Sequence, residues 1–155
     1  QQNGEHLLPD RAGEKKAIEL QMRHLLRETK GQFKLSQPLR SYPGAAFNDR
    51  FRVTVSYANS SVEWTLLLSA SAPHEPPDII FEEGCEAFAP YDQIESLRRW
   101  SLDRPTALTE LLRELRERYR LHQMDRCFAI ADDRLRFELE SVRGLCPAAE
   151  MRALL

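Results

Sequence analysis

Residues 72–81 constrain the fold more than any other stretch, because they place three prolines within five positions. Proline fixes φ at about −65° and has no backbone N–H, so this stretch cannot form the middle of a helix or a central strand. It predicts a rigid, extended crossing. Residues 79–81 follow with the apolar run Ile-Ile-Phe, which predicts a buried strand or the end of one. The prolines are Pro73, Pro76 and Pro77.

Three segments before the crossing alternate between apolar and polar residues, which is typical of half-buried strands. The first contains Phe33 and Leu35 and is expected to end at Pro38. Two longer segments follow, and the Asn- and Ser-containing stretch between them predicts a hairpin. With residues 79–81, the prediction is an antiparallel meander of about four strands. The apolar positions of the two longer segments are Phe51, Val53, Val55, Tyr57, Val62, Trp64, Leu66 and Leu68.

Helical spacing of apolar residues flanks the predicted sheet on both sides. Residues 14–29 predict one amphipathic helix, with Gly31 as its stop. A second helix is expected after Asp103 as N-cap and Pro105 in the first turn, and a further helix covers about residues 124–143. The apolar stripe of the first helix comprises Ile18, Met22, Leu25 and Leu26, that of the second Leu108, Leu111, Leu112, Leu115 and Tyr119, and that of the third Phe128, Ala131, Leu135, Leu139 and Val142.

The predicted fold class is therefore α+β, with an N-terminal helix, a four-stranded antiparallel meander and C-terminal helices. We expect residues 1–13 to be a loose lead-in, 14–122 to form the domain, 123–143 to be an appended helix, and 144–155 to be a tail or linker. The first residues contain no apolar stretch of the kind found in signal peptides.

Composition excludes several classes of function. The chain has 155 residues, 42% of them hydrophobic and 30% charged, and a net charge of −2. This balance gives no field that would attract nucleic acid or a membrane surface, and no apolar run approaches the roughly 20 residues that span a bilayer. The three cysteines are odd in number and widely spaced, which predicts a reducing compartment, cytoplasm or nucleus.

No motif for metal, nucleotide or catalytic chemistry stands out. The four histidines and three cysteines never reach metal-ligand spacing, and no Gly-rich loop precedes a helix, so no cofactor is expected. Cys85 lies among Glu82, Glu83 and Glu86, and neighbouring carboxylates raise a thiol's pKa. We interpret Cys85 as an unreactive loop cysteine and predict no catalytic residue.

The order of these elements resembles the ubiquitin-conjugating enzyme fold. The family's Tyr-Pro-x-x-Pro-Pro signature is similar to residues 72–77, with Ala72 in place of the tyrosine, and its Trp-Ser-Pro-x-x-Thr region is similar to residues 100–106. The His-Pro-Asn tripeptide before the active cysteine is missing, with residues 88–91 as its nearest counterpart, and no cysteine follows it in the active-site loop. The resemblance therefore implies a catalytically inactive variant, a UEV domain, with RWD domains as close cousins.

A narrower resemblance is to the N-terminal UEV domain of the BRE family, and it covers about residues 48–119. It implies a non-enzymatic scaffold that holds a JAMM metalloprotease, its pseudoenzyme partner and other subunits of a deubiquitinase assembly together, with a second UEV domain further along. Ubiquitin is a possible further partner. The motifs that carry it are Asn48-Asp49-Arg50-Phe51, Tyr57-Ala58, Glu63-Trp64, Pro76-Pro77-Asp78-Ile79-Ile80-Phe81, Phe88-Ala89-Pro90 and Trp100.

Three alternatives stay open at this point: a scaffold of the BRE type, a free-standing ubiquitin-binding or RWD-type adaptor, and an active conjugating enzyme that uses Cys85. For a protein interface we select Phe128, Leu135 and Leu139. An apolar stripe that has no evident packing partner within its own domain often marks a partner surface. An alternative of equal weight is that this helix packs back on its own domain. The residues expected to hold the fold are Trp64, Pro73, Pro76, Pro77, Phe81 and Trp100.

Overall fold

The computed structural model describes residues 11–57, 59–82, 88 and 91–133, with side chains described to residue 129. These residues form an α+β fold with a helix, a four-stranded antiparallel sheet and further helices in that order. The predicted fold class is confirmed. Residues 1–10 and 134–155 lie outside the described residues, and so do Leu135, Leu139 and the end of the predicted third helix.

Helix α1, Arg11–Thr29, begins three residues before its predicted start at Glu14. Its buried side chains include Ile18, Gln21 and Leu25, which face the core at helical spacing. Leu26, expected in the apolar stripe, is exposed, so the buried face is rotated from the predicted one.

The predicted stop of α1 is confirmed. Lys30 and Gly31 both have positive φ angles, 46° and 92°, and the Gln32 N–H donates to the Thr29 carbonyl oxygen at 3.0 Å. Glycine adopts such angles without the steric cost that a Cβ brings, which explains why the helix ends here.

The sheet contains β1 (Phe33–Leu39), β2 (Arg50–Tyr57), β3 (Ser60–Leu67) and β4 (Asp78–Ile80) in the order β1-β2-β3-β4. Every neighbouring pair is antiparallel, so the predicted meander is confirmed. In the central pair, Val53 lies opposite Trp64 and Val55 opposite Val62. All four side chains are buried, because the period of two places them on the face that packs against the helices.

Two strand predictions are wrong in detail. Strand β1 continues past Pro38 to Leu39, because the register shifts between Ser36 and Leu39 and Gln37 takes a φ of 50°. Such a bulge accommodates a proline on an edge strand. The run at residues 79–81 is also not buried throughout: Ile79 faces the core, whereas Ile80 lies on the opposite face and is 56% exposed.

A 3₁₀ turn at Tyr91–Gln93 and the short helix α2, Glu95–Arg98, lead to the long helix α3, Ala107–Asp133. The predicted N-cap at Asp103 is wrong, since α3 begins four residues later. The prediction of two successive helices is also wrong, because α3 continues through residue 124. No Gly or Pro occurs between Tyr119 and Met124 to end the helix.

The core lies between the sheet and helices α1 and α3. A buried glutamine, Gln21, joins the two helices: its Nε2 donates to the carbonyl oxygens of Ser101 and Leu102 at 3.1 and 3.0 Å, and its Oε1 accepts from the Leu108 N–H at 2.7 Å. The bond to Leu108 satisfies an N–H in the first turn of α3 that has no partner within the helix, and the other two hold the segment just before α3 against α1. The amphipathic pattern assigned no role to this residue.

Candidate protein interface

Trp64, one of the two tryptophans expected to hold the fold, lies inside an aromatic cluster. Trp64 is 1% exposed and stacks on Phe88, with ring centroids 5.8 Å apart and an interplanar angle of 29°. Phe81 and Tyr119 meet the Trp64 ring edge-on at 5.3 and 6.2 Å. Offset stacked and edge-on aromatic pairs stabilise a core beyond their buried area. Trp64 and Phe81 therefore pack within the domain.

The proline crossing has one face toward the core and one toward solvent. Pro73 and Pro77 are buried, whereas Pro76 is exposed. Two consecutive turns shape its start, with the Ala72 N–H bound to the Ser69 carbonyl oxygen and the Glu75 N–H bound to the Ala72 carbonyl oxygen. Pro73 and Pro77 thus anchor the crossing to the core, and Pro76 lies on its solvent side.

Tyr91 protects the free edge of the sheet beside the crossing. Its hydroxyl accepts from the Ile79 N–H at 3.3 Å and donates to the Ile79 carbonyl oxygen at 3.0 Å. Ile79 belongs to the edge strand β4, so the hydroxyl occupies the position that another strand's backbone would take. Its ring helps to line a depression of about 390 Å³ with Pro76, Pro77 and Leu97.

Helix α2 is held against α3 by a carboxylate. Glu114 accepts from the Ser96 N–H at 2.8 Å and the Glu95 N–H at 3.1 Å, so it caps the start of α2. Burial raises the pKa of Glu114, but hydrogen bonds from Ser96, Glu95 and Arg118 outweigh it and leave the pKa below its ordinary value. Arg118 also donates to the Gln93 carbonyl oxygen at 2.5 Å, which ties the 3₁₀ turn to the same helix.

Trp100, which follows α2, is half-buried and packs against the core. Its indole Nε1 is shielded from solvent and finds no hydrogen-bond acceptor among the described residues, and the same holds for Trp64 Nε1. Both tryptophans therefore stabilise the domain through the apolar surface that their rings bury.

A buried aspartate, which the sequence analysis did not select, holds the loop between β1 and β2 in place by hydrogen bonds. Asp49 accepts from the Ser41 N–H and hydroxyl at 2.7 Å each and from the Ala70 N–H at 2.6 Å. A carboxylate with several such donors is stable in the interior. Asp49 belongs to the motif Asn48-Asp49-Arg50-Phe51 of the family resemblance, and this motif could have indicated its role.

The described residues were also compared with the patterns of metal sites, membrane-spanning helices and reactive cysteines. Within residues 11–57, 59–82, 88 and 91–133, no three His, Cys, Asp or Glu side chains are grouped to hold a metal ion. None of the helices described there is long and apolar enough to cross a membrane. Cys127 is an exposed free thiol on α3. Cys85 and Cys146 lie outside the described residues.

The second half of α3 carries the interface candidate that the structure describes. Phe128 is 48% exposed and Leu121, two turns earlier, is 42% exposed. Met124 lies between them and is half-buried, and residues 125–129 are all exposed. Residues 121, 124 and 128 share one helix face, because their spacing of three and four matches the helical period. This face, Leu121, Met124 and Phe128, is the distal α3 surface.

The described residues define a two-layer α+β domain in which one long helix carries exposed apolar side chains in its second half. The sequence model of the family "Brain and reproductive organ-expressed protein (BRE)" matches residues 20–151. The chain belongs to this family, and the resemblance to it is confirmed.

Two relatives carry the name "BRISC and BRCA1-A complex member 2". The protein from Danio rerio is 30% identical over 95 residues, which are 61% of this chain and 24% of the relative. The protein from Branchiostoma floridae is 30% identical over 98 residues, which are 63% of this chain and 25% of the relative. The match spans about a quarter of the length of either relative.

Proposed function

We propose that this chain is a non-catalytic scaffold domain of a deubiquitinase assembly, related to the BRISC and BRCA1-A complexes named in its relatives. Membership of the BRE family carries the proposal. The partners that we propose are a JAMM metalloprotease and its pseudoenzyme partner, in the cytoplasm and nucleus. The UEV-type fold belongs to the same proposal, supported by the Pro-x-x-Pro-Pro spacing at residues 73–77 and by Trp100.

Absence of catalysis is proposed from sequence. Ubiquitin transfer requires a nucleophilic thiolate in the active-site loop. No His-Pro-Asn tripeptide occurs in this chain, and Cys85 precedes residues 88–91, where that tripeptide would lie. Cys127, the described cysteine, lies on α3. Incubation with activating enzyme, ubiquitin and ATP tests this point, and a thiol-labile ubiquitin adduct would contradict it.

The distal α3 surface is the contact that we propose for a partner subunit. Exposed apolar side chains that share one helix face form the anchor pattern of helix-mediated recognition. Leu121 and Phe128 present such a pattern on a helix whose first half is already buried in the domain. The rigid first half would hold the surface at a fixed angle, so little ordering would be needed on binding.

Replacement of both anchors tests this contact in the full-length protein. Leu121→Asp with Phe128→Asp should reduce co-precipitation of the metalloprotease subunit by about tenfold or more, as expected when interface hot spots are lost. The matched control is Leu26→Asp with Ile80→Asp, two apolar residues of similar exposure on α1 and β4. Circular dichroism must show that both double variants fold. Unchanged recovery of the metalloprotease with the first variant would overturn the contact.

A further inference from the structure

A groove of about 210 Å³ lies between α1 and the end of β1. Its apolar lining includes the buried residues Ile18, Phe47 and Phe51, together with the half-buried Met22. It lies on α1 and the sheet, and the distal α3 surface contributes none of the lining residues. The groove therefore stands apart from the contact proposed above.

The bulge in β1 explains why this space is not filled by the domain itself. Strand β1 starts with Phe33 buried in the core, but the register shifts after Ser36. Beyond the bulge, Leu39 is exposed and Pro38 is the side chain of the strand that reaches the groove. In a regular strand, position 37 and Leu39 would follow Phe33 and Leu35 on the face toward the helix. The bulge instead leaves an opening above Phe51.

The groove also carries excess positive charge. Lys15 and Arg40 contribute to its lining, and neither forms an ion pair with any residue in the part of the chain that the structure describes. Glu19 is the acidic residue in the same lining, so the groove has a net charge of about +1 at neutral pH. Arginine binds carboxylates in a bidentate manner, and lysine attracts them as a point charge. A ligand with complementary charge would therefore carry an acidic group.

The size of the groove limits what it can hold. A cavity of about 150 Å³ accepts a benzene ring, so 210 Å³ accommodates one side chain of the size of leucine or phenylalanine. Exposed cations beside an apolar floor fit a segment with acidic residues on either side of such an anchor.

We propose that this groove binds an extended acidic segment of a partner protein, which inserts one leucine or phenylalanine side chain over Phe51 and places carboxylates beside Lys15 and Arg40. The segment would neutralise two cations that have no partner within the described residues and would cover the opening left by the bulge. Binding should weaken as the salt concentration rises, because exposed charge pairs are screened within about 10 Å at 0.1 M salt.

The test uses ¹⁵N–¹H NMR of the 155-residue chain with three synthetic peptides. Asp-Glu-Leu-Asp-Glu should shift the amide signals of Lys15, Ile18 and Phe47 in a saturable manner. Asp-Glu-Ala-Asp-Glu should bind about tenfold more weakly, because it lacks the buried anchor. Lys-Lys-Leu-Lys-Lys should not bind. Equal shifts with all three peptides, or shifts confined to other surfaces, would overturn the proposal.

Two variants separate the contributions of charge and shape. Lys15→Glu with Arg40→Glu should abolish binding of the acidic peptide, whereas Lys16→Glu with Arg23→Glu changes the net charge equally at exposed α1 positions outside the groove and should retain it. Ala46→Trp should block the groove without changing charge, since Ala46 is an exposed lining residue. Equal weakening by the two charge-reversal variants would overturn the proposal.

Two further measurements complete the test. Sedimentation of the free chain checks whether a second copy occupies the groove: a dimer that Ala46→Trp dissociates would replace the partner segment as occupant and contradict the proposal. The variant Leu121→Asp with Phe128→Asp should bind the acidic peptide as the parent chain does. Loss of the metalloprotease contact with retained peptide binding would distinguish the two surfaces.

Discussion

Helix α3 runs without interruption from Ala107 to Asp133, but its two halves have different surroundings. In the first half, Leu108, Leu111 and Leu112 are fully buried against α1 and the sheet. In the second half, residues 125–129 are exposed. The backbone conformation is the same throughout, so local helix propensity does not explain the difference. The sheet and α1 cover the first half and not these later residues.

This difference teaches what each half contributes. Most helical stability in proteins comes from packing of an apolar face and not from propensity. The first half therefore stabilises the domain, and the second half presents the exposed side chains to which we assign the proposed contact. Substitutions at Leu112, Glu114 and Phe128 separate these contributions, and their expected effects decrease in that order.

The largest effect is expected in the buried half. Leu112→Ala should lower the free energy of unfolding by about 3 kcal/mol, because it removes buried methyl groups and leaves a cavity in a close-packed region. Urea denaturation followed by circular dichroism measures the change. Leu121→Ala is the matched control, with the same substitution on the exposed half, and should change the free energy by less than about 0.5 kcal/mol. Equal effects at the two positions would remove the distinction between the halves.

An intermediate effect is expected at Glu114, which connects α3 to α2. The folded-state pKa of Glu114 lies below the ordinary value of 4.5. The charged form therefore stabilises the fold above about pH 4.5, and this contribution is lost as the pH falls through the folded-state pKa. Glu114→Gln should lower the free energy of unfolding by about 1 kcal/mol at pH 7.

The pH dependence checks the cause at Glu114. The difference between the parent chain and Glu114→Gln should shrink as the pH falls below 4.5, because the parent carboxyl then becomes protonated. Urea denaturation at pH 7 and at acid pH measures it. A difference that is independent of pH would assign the effect to shape and not to charge.

The smallest effect is expected at Phe128. Phe128→Ala should change the free energy of unfolding by less than about 0.5 kcal/mol, because the side chain is 48% exposed on the second half of α3. Amide hydrogen exchange should also be faster at residues 125–129 than at 108–115, since local opening is easier where little apolar surface is buried. A loss of more than about 1 kcal/mol would show that Phe128 packs within the domain.

The outline of the fold was predictable from sequence because its signals are local. Alternation in β2 and β3 placed Val53, Val55 and Trp64 on the buried face, and the structure has them there. The left-handed residue Gly31 marked the end of α1. The family was predictable because the Pro76–Phe81 run and the spacing to Trp100 occur together.

The candidate sites were less predictable. Phe128 was selected because it lies in the apolar stripe of the third predicted helix. Leu121 was not selected, because its exposure depends on where the sheet and α1 end relative to α3. The groove beside Phe51 was missed because it lies next to a bulge that changes the register of β1, and the alternation pattern did not predict this bulge. Lys15 and Arg40 lie 25 positions apart in the sequence, and only folding brings both to the groove.

The sequence by itself determined the order of elements, the buried face of the central strands and the family. These depend on periods of about 2.0 and 3.6 residues and on glycine and proline, which act over a few neighbouring positions. The tertiary structure decided that Gln21 is buried while Leu26 is exposed, that Asp49 joins three donors, and that α3 is one helix with two environments. Each of these outcomes depends on contacts between distant residues, because burial and hydrogen bonding are settled only when the elements pack.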